Sequence, residues 1–204
     1  LSTYPGKAHQ LAHAVGRDAL ASCDAILSGL AAHGYNATPV NDLGKTLITE
    51  TLSWPISGYK KALRTLPETL QQDLSDAWGA PDQDSSVKDD AFQFKAIQTG
   101  KTLIALQPER GQVKSREDDY HDLERTPCHG YVAFYLWLQT RIDALVHIGA
   151  HGTLEWLPGK SVALSRACWP EALTGALPVI YPFIVNDPGE AAQAKRRIGG
   201  ITIG

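Results

Sequence analysis

Residues 144–160 read A-L-V-H-I-G-A-H-G-T-L-E-W-L-P-G-K, and this stretch restricts the fold more than any other. An apolar run, 144–148, breaks on Gly149 and Gly152 and closes on Leu157-Pro158-Gly159-Lys160. A short apolar run that ends on glycine reads as a buried strand feeding a loop. Further strand candidates stand at 102–107 (T-L-I-A-L-Q), at 179–185 (V-I-Y-P-F-I-V) and at Ile201-Thr202-Ile203. Helical patterns separate them. Strand, loop and helix in alternation predict an α/β fold: a mostly parallel sheet with helices on both faces, doubly wound in the Rossmann or flavodoxin-like manner.

The helices are legible by periodicity. Residues 8–32 place Leu11, Val15, Ala19, Cys23, Ile26 and Leu30 on one stripe, and His33-Gly34 closes the helix. His9 and His13 fall off that stripe and read as solvated. Residues 57–78 are helical with an interruption at Pro67, and 47–54 fit a short strand or a short helix equally. Residues 129–141 carry Tyr131, Phe134, Tyr135 and Trp137 at helical spacing, a core pattern. A short helix is expected within 161–173. Asp187-Pro188-Gly189-Glu190 forms a capping box for a last helix. Its basic end, Lys195-Arg196-Arg197, complements the helix dipole. Residues 79–90 (G-A-P-D-Q-D-S-S-V-K-D-D) read as an exposed loop.

Composition excludes several classes. A net charge of −3 leaves no basic footprint for nucleic acid. No apolar run is long enough to span a membrane, and no secretory leader opens the chain. Three scattered cysteines, Cys23, Cys128 and Cys168, suit a reducing, cytoplasmic compartment. A chain without methionine reads as a piece of a longer protein.

The chemistry concentrates around His147, His151 and Glu155, spaced four and four. In open α/β sheets, active groups collect past the carboxyl ends of strands. Two imidazoles and a carboxylate there suit a divalent metal or proton transfer. In a loop, spacing does not fix geometry, so His147 as a core histidine and Glu155 as a surface carboxylate stay open. The pattern is not H-E-x-x-H. Gly159-Lys160-Ser161 mimics the end of a phosphate-binding loop, but Leu154 stands where glycine is required. Cys128 beside His129 reads as a packed thiol, because neighbours in sequence seldom face each other. Lys7, Gln107, Arg110, Lys160, Asn186 and Asp187 would converge on the same sheet edge, where cations suit a ligand's carboxylates.

The runs H-I-G-A-H-G-T-L-E-W-L-P-G-K and L-P-V-I-Y-P-F-I-V-N-D-P-G-E-A-A-Q-A-K-R-R resemble the large subunits of aerobic cobaltochelatases, the CobN type. So do Q-P-E-R-G, Y-H-D, H-G-Y-V-A-F-Y-L-W-L and the opening L-S-T-Y-P-G-K, and the likeness is weakest over 41–101. The related H-type large subunit of magnesium chelatase, which inserts Mg²⁺ into protoporphyrin IX, has a similar core. The wording E-W-L-P and N-D-P-G-E favours cobalt. The resemblance implies a ligase of cobalamin biosynthesis that inserts Co²⁺ into hydrogenobyrinic acid a,c-diamide. It also implies two smaller partners, one an AAA+ ATPase that would hold ATP and Mg²⁺. The chain is then a core fragment, inactive alone. On this reading His147, His151 and Glu155 handle the metal, with Glu155 and His151 catalytic. Lys7, Arg110, Lys160, Asn186 and Asp187 contact the tetrapyrrole, and His121, Asp122 and His129 are second-choice ligands. The rivals are a scaffold module that docks the ATPase and a metal-dependent hydrolase.

Overall fold

The computed structural model describes residues 1, 13–14, 17–111, 122–149, 153–182 and 188–203. After a small antiparallel pair, β1 (His13–Ala14) and β2 (Arg17–Asp18), comes α1 (Ala19–Ala32). The Asp18 side chain caps α1 by accepting from the Ala21 amide at 2.9 Å. Ala19, Cys23 and Leu27, one helical turn apart, form its buried stripe. Gly34, at φ 84°, ends it where a side chain would be strained. There follow α2 (Leu43–Thr49), β3 (Leu52–Pro55), α3 (Ile56–Leu63) and α4 (Glu68–Trp78). The two readings left open for 47–54 are thus both realised, helix first and strand after it. Pro67 sits at the N-cap of α4 and separates it from α3.

Strands β4 (Val87–Lys88), β5 (Ala91–Phe94), β6 (Ala96–Thr99) and β7 (Thr102–Ala105) precede α5 (His129–Gln139). Then come β8 (Leu145–Val146), a 3-10 turn (Leu154–Trp156), α6 (Trp169–Thr174), β9 (Val179–Pro182), α7 (Pro188–Ile198) and β10 (Ile201–Ile203). Strands stand at all four predicted places, but among the described residues only β10-β9-β8 form a parallel sheet. The 102 strand instead closes a hairpin with β6, and β3-β5-β4 are antiparallel. The expected mostly parallel sheet is therefore corrected to a mixed α/β arrangement of small sheets. The cause is local. Gly100, at φ 59°, makes the two-residue turn, and a Cβ there would stand 2.4 Å from the Asn36 carbonyl oxygen.

Two apolar cores lie on opposite sides of the β6–β7 hairpin. Ile97 and Ile104 join α1 and α2, whereas Ala96, Leu103 and Ala105 face α5. Helix α5 is the centre of the larger core: every residue from His129 to Leu138 is buried. Phe94 meets Phe134 edge-on at 5.5 Å and lies 4.9 Å from Trp137. The start of α5 is pinned by segment 79–90. That segment, expected as an exposed loop, carries a 3-10 turn (Pro81–Gln83) and β4, and it holds α5 through Asp84. Asp84 accepts from the Gly130 amide at 2.8 Å, and a Cβ at Gly130 would strike the Ser86 hydroxyl at 2.6 Å.

His129 is fixed on both ring nitrogens. Tyr59 donates its hydroxyl to Nδ1 at 2.7 Å, and Nε2 donates to the Gly79 carbonyl at 3.0 Å. Burial holds the imidazole below its ordinary value of 6.5, against the opposing pull of the Gly79 carbonyl and of Asp84 and Asp82. A depressed folded value means that the unfolded chain binds the proton first. Stability is therefore retained above pH ~6.5 and falls as pH drops through the folded value. The expected outcome is a melting temperature that declines below that pH. In His129→Gln the decline should be shallower, at a lower overall stability, as scanning calorimetry across pH 5–8 would read.

Candidate functional site

The parallel sheet brings two of the predicted residues to one place. His147 directly follows β8, and its amide donates to the Ile180 carbonyl at 2.8 Å, continuing the ladder onto β9. Its buried ring stacks on Tyr181 of β9, centroids 4.7 Å apart and planes 22° from parallel. The Tyr181 hydroxyl donates to Glu155 Oε1 at 3.4 Å. Glu155 is 0% exposed and sits inside the 3-10 turn, so it is a buried carboxylate, not a surface one. Tyr181 thus joins imidazole and carboxylate into one chain of contacts at the carboxyl end of the sheet.

The turn carrying Glu155 is held on every side. Thr153 Oγ1 lies 2.7 Å from Gln107 Nε2 and 2.8 Å from the Tyr131 hydroxyl, and Tyr135 donates to Gln107 Oε1 at 2.9 Å. Burial pushes both tyrosines well above the usual phenol range, with Glu155's charge adding to the rise. Both therefore stay neutral. Arg110, 6% exposed, donates to the carbonyls of Trp156 (3.1 Å) and Asp122 (2.8 Å). Arg197, 3% exposed, donates to the Glu155 carbonyl at 2.7 Å and the Lys160 carbonyl at 3.2 Å. The Trp156 indole donates to Glu190 of α7 at 2.8 Å. Two buried guanidiniums thus grip consecutive carbonyls, those of Glu155 and Trp156.

Past the turn, Gly159 adopts φ 148° and packs so closely on Cys168 that a Cβ would stand 2.7 Å from the Cys168 Cβ. The Cys168 sulfur accepts from the amides of Lys160 and Ser165, each at 3.5 Å. Burial alone would push this thiol up. The amide donors, the Ser165 hydroxyl and the Lys160 charge outweigh it and hold the thiol below its ordinary range. The Lys160 side chain stands on the surface, while its amide and carbonyl are engaged by Cys168 and Arg197. A phosphate loop needs a helix behind its G-K-S, and α6 begins only at Trp169.

The other predicted residues are dispersed or lie elsewhere. Lys7, His121, His151, Asn186 and Asp187 fall outside the described residues. The Asp122 carboxylate accepts from the Glu124 amide at 2.9 Å, a local turn contact. His129 is buried in the Tyr59 cluster, and Cys128 donates to the Glu109 carbonyl rather than facing it. Burial pushes the Cys128 thiol up to about 11, with Asp84's charge adding to it. Among the described residues, no three His, Cys, Asp or Glu side chains stand close enough together to hold a metal ion. A metal held by His147 and Glu155 would need a further donor. Sequence reasoning missed Tyr181, Thr153, Tyr131 and Arg197. The basic triplet was assigned to the helix dipole, yet only Lys195 and Arg196 are exposed, while Arg197 turns into the site.

The family model described as CobN/Magnesium Chelatase matches residues 1–204. This chain belongs to the CobN/magnesium chelatase family. It is 40% identical over 222 aligned residues to the aerobic cobaltochelatase subunit CobN of Pseudomonas aeruginosa, covering 100% of this chain and 18% of that protein. It is 36% identical to the H-type magnesium-chelatase protein of Cereibacter sphaeroides over 64% of this chain and 11% of that one. The fold superposes on the catalytic subunit of cobaltochelatase from Mycobacterium tuberculosis with a TM-score of 0.78 and 34% identity, covering 99% of this chain and 19% of that one. The chain thus spans less than a fifth of the length of its cobaltochelatase relatives. Among the described residues no helix is long and apolar enough to cross a membrane.

Removing Arg197 strands the buried Glu155 carbonyl and frees the part-buried Lys160 carbonyl, so Arg197→Ala should release the turn. Amide exchange over residues 155–160 is expected to accelerate about a hundredfold, equivalent to about 3 kcal/mol for charged hydrogen bonds lost from the interior. Arg196→Ala, on the exposed face, should leave that exchange unchanged.

Proposed function

We propose that this chain is part of the tetrapyrrole- and metal-handling subunit of a cytoplasmic, ATP-dependent cobaltochelatase that inserts Co²⁺ into hydrogenobyrinic acid a,c-diamide. The observation that carries this reading is the buried Glu155–Tyr181–His147 chain at the carboxyl end of the parallel sheet, in a chain matched to the family along its whole length. Glu155-Trp156-Leu157-Pro158 favours cobalt over magnesium.

Insertion requires that Co²⁺ lose water and that ring nitrogens of the macrocycle lose protons. His147, with His151, presents imidazole to the incoming ion, a suitable donor for a first-row divalent metal. Glu155 accepts a pyrrole proton. Its position is set through the backbone by Arg197 and through its carboxylate by Tyr181. Lys160, at the surface, and Lys7 pair with peripheral carboxylates of the substrate, Asn186 donates its side-chain amide to them, and Asp187 accepts from the substrate's carboxamide N–H groups. Arg110, already engaged with Trp156 and Asp122, holds the turn from the opposite side. ATP and Mg²⁺ belong to an AAA+ partner, and a second small subunit completes the complex.

The test is cobalt insertion by the full-length subunit with both partners and ATP, followed by corrinoid absorbance, with substrate binding measured separately. Glu155→Gln and His147→Ala should each slow insertion by about 10²–10⁴-fold while substrate affinity stays within about twofold. His151→Ala is expected to behave alike. Near-normal insertion by Glu155→Gln would overturn the assignment and return the turn to pure architecture.

A further inference from the structure

Among the described residues, strands β8 and β9 of the parallel sheet are covered on one face and only partly on the other. Tyr181 (0% exposed) and Val179 (1%) of the central strand β9 pack toward α5, α6 and α7. Residues paired across strands share a face, so the register Val146–Ile180–Ile201 puts these three side chains on the opposite one. Ile203, two residues beyond Ile201, joins them. On that face Val146 is 37% exposed, Ile201 58% and Ile203 53%, and Ile180 is half-buried.

The same face is properly covered a short distance away. Ile148 lies two residues past Val146, on the same side, and is 4% exposed against α1 and α2 together with Ile97 and Ile104. The helical layer formed by α1 and α2 therefore stops between Ile148 and Val146. Strand β10 shows that this end is not a solvent face. Its sequence Ile201-Thr202-Ile203 turns both isoleucines toward the bare side and the threonine toward the side of α7. A strand meant to face water would carry the opposite pattern. Parallel strands are stable when both faces are covered, and contiguous exposed aliphatics mark a surface built to be buried.

We propose that the Val146–Ile180–Ile201–Ile203 face is the seat of an amphipathic helix from the same polypeptide, outside these 204 residues, which extends the α1–α2 layer across the parallel sheet. The length of the relatives supports this occupant over a second copy or a partner subunit, since the chain accounts for only 18% of the P. aeruginosa protein. The helix would offer aliphatic or aromatic side chains at three- and four-residue spacing. The proposal stands on packing alone and is independent of the roles given to His147 and Glu155.

The experiment is hydroxyl-radical footprinting of the wild-type full-length polypeptide at monomeric concentration, without partners, read by peptide mass spectrometry. Ile201 and Ile203 should be oxidised as slowly as the buried Leu27, at least tenfold below what their exposure here would give. In a second arm, Ile201→Cys should react with a maleimide at least tenfold more slowly than Lys101→Cys in the exposed hairpin turn. A photo-crosslinking residue at Val146 should join to a helical segment of the same chain. Fast oxidation and labelling would overturn the proposal. So would protection that appears only at raised concentration or on adding the ATPase, or crosslinks to a second copy or to a partner.

Discussion

A helix whose residues are buried from His129 to Leu138 has no face left for water, so each polar group on it must be satisfied by the protein. The rest of the structure follows from that demand. Tyr131 and Tyr135 point their hydroxyls at Thr153 and Gln107, which fixes the start of the 3-10 turn. His129 ties the helix to α3 through Tyr59 and to the end of α4 through the Gly79 carbonyl. The Gly130 amide recruits Asp84, which organises the segment before β4. Phe134 and Trp137 seat the antiparallel sheet through Phe94. One apolar helix thus couples the antiparallel part of the fold to the turn that carries Glu155.

A fully buried carboxylate is costly unless its surroundings supply donors and opposite charge. Here the compensation is distributed. Tyr181 donates to the carboxylate, and the Arg197 guanidinium binds the same residue's carbonyl while its charge acts on Glu155. Arg110 and Glu190 fix the neighbouring Trp156 through its carbonyl and its indole. Preorganised groups of this kind need not rearrange when charge changes hands.

Much of this was legible in the sequence, because periodicity reports burial directly. The aromatic helix α5, the break at Pro67 and the strands β7 to β10 follow from local pattern, whereas the helix expected over 8–32 holds only from Ala19, after the β1–β2 pair, with Leu27 rather than Ile26 completing its buried stripe. Pairing direction was not legible. Gln98-Thr99-Gly100-Lys101-Thr102 is a hairpin signal, a glycine turn between β-formers, and overlooking it made β7 a member of the parallel sheet. The alternation in β5, with Phe92 and Phe94 buried and their neighbours only half so, was likewise available. Within the candidate site, residue type and strand-end position single out His147 and Glu155, which the fold brings together through Tyr181. The same signals do not single out Tyr181 or Arg197. A tyrosine in an apolar run reads as core, and an arginine at a helix end is already accounted for by the dipole. Only tertiary packing turns one toward Glu155 and the other onto its carbonyl.

The division between rigid and reachable groups follows from the same geometry. Glu155 and His147 lie buried against Tyr181, whereas Lys160, five residues from Glu155, stands on the surface at the other end of the strap gripped by Arg197. On the function proposed above, the anionic macrocycle meets Lys160 at the surface, and the proton and the metal ion pass inward to Glu155 and His147. Arg197 holds the carbonyls of both Glu155 and Lys160, so one side chain ties the surface lysine's backbone to that of the buried glutamate. On the function proposed above, this shared arginine ties substrate contact at the surface to proton acceptance inside, so that the tetrapyrrole is seated before its nitrogens lose their protons.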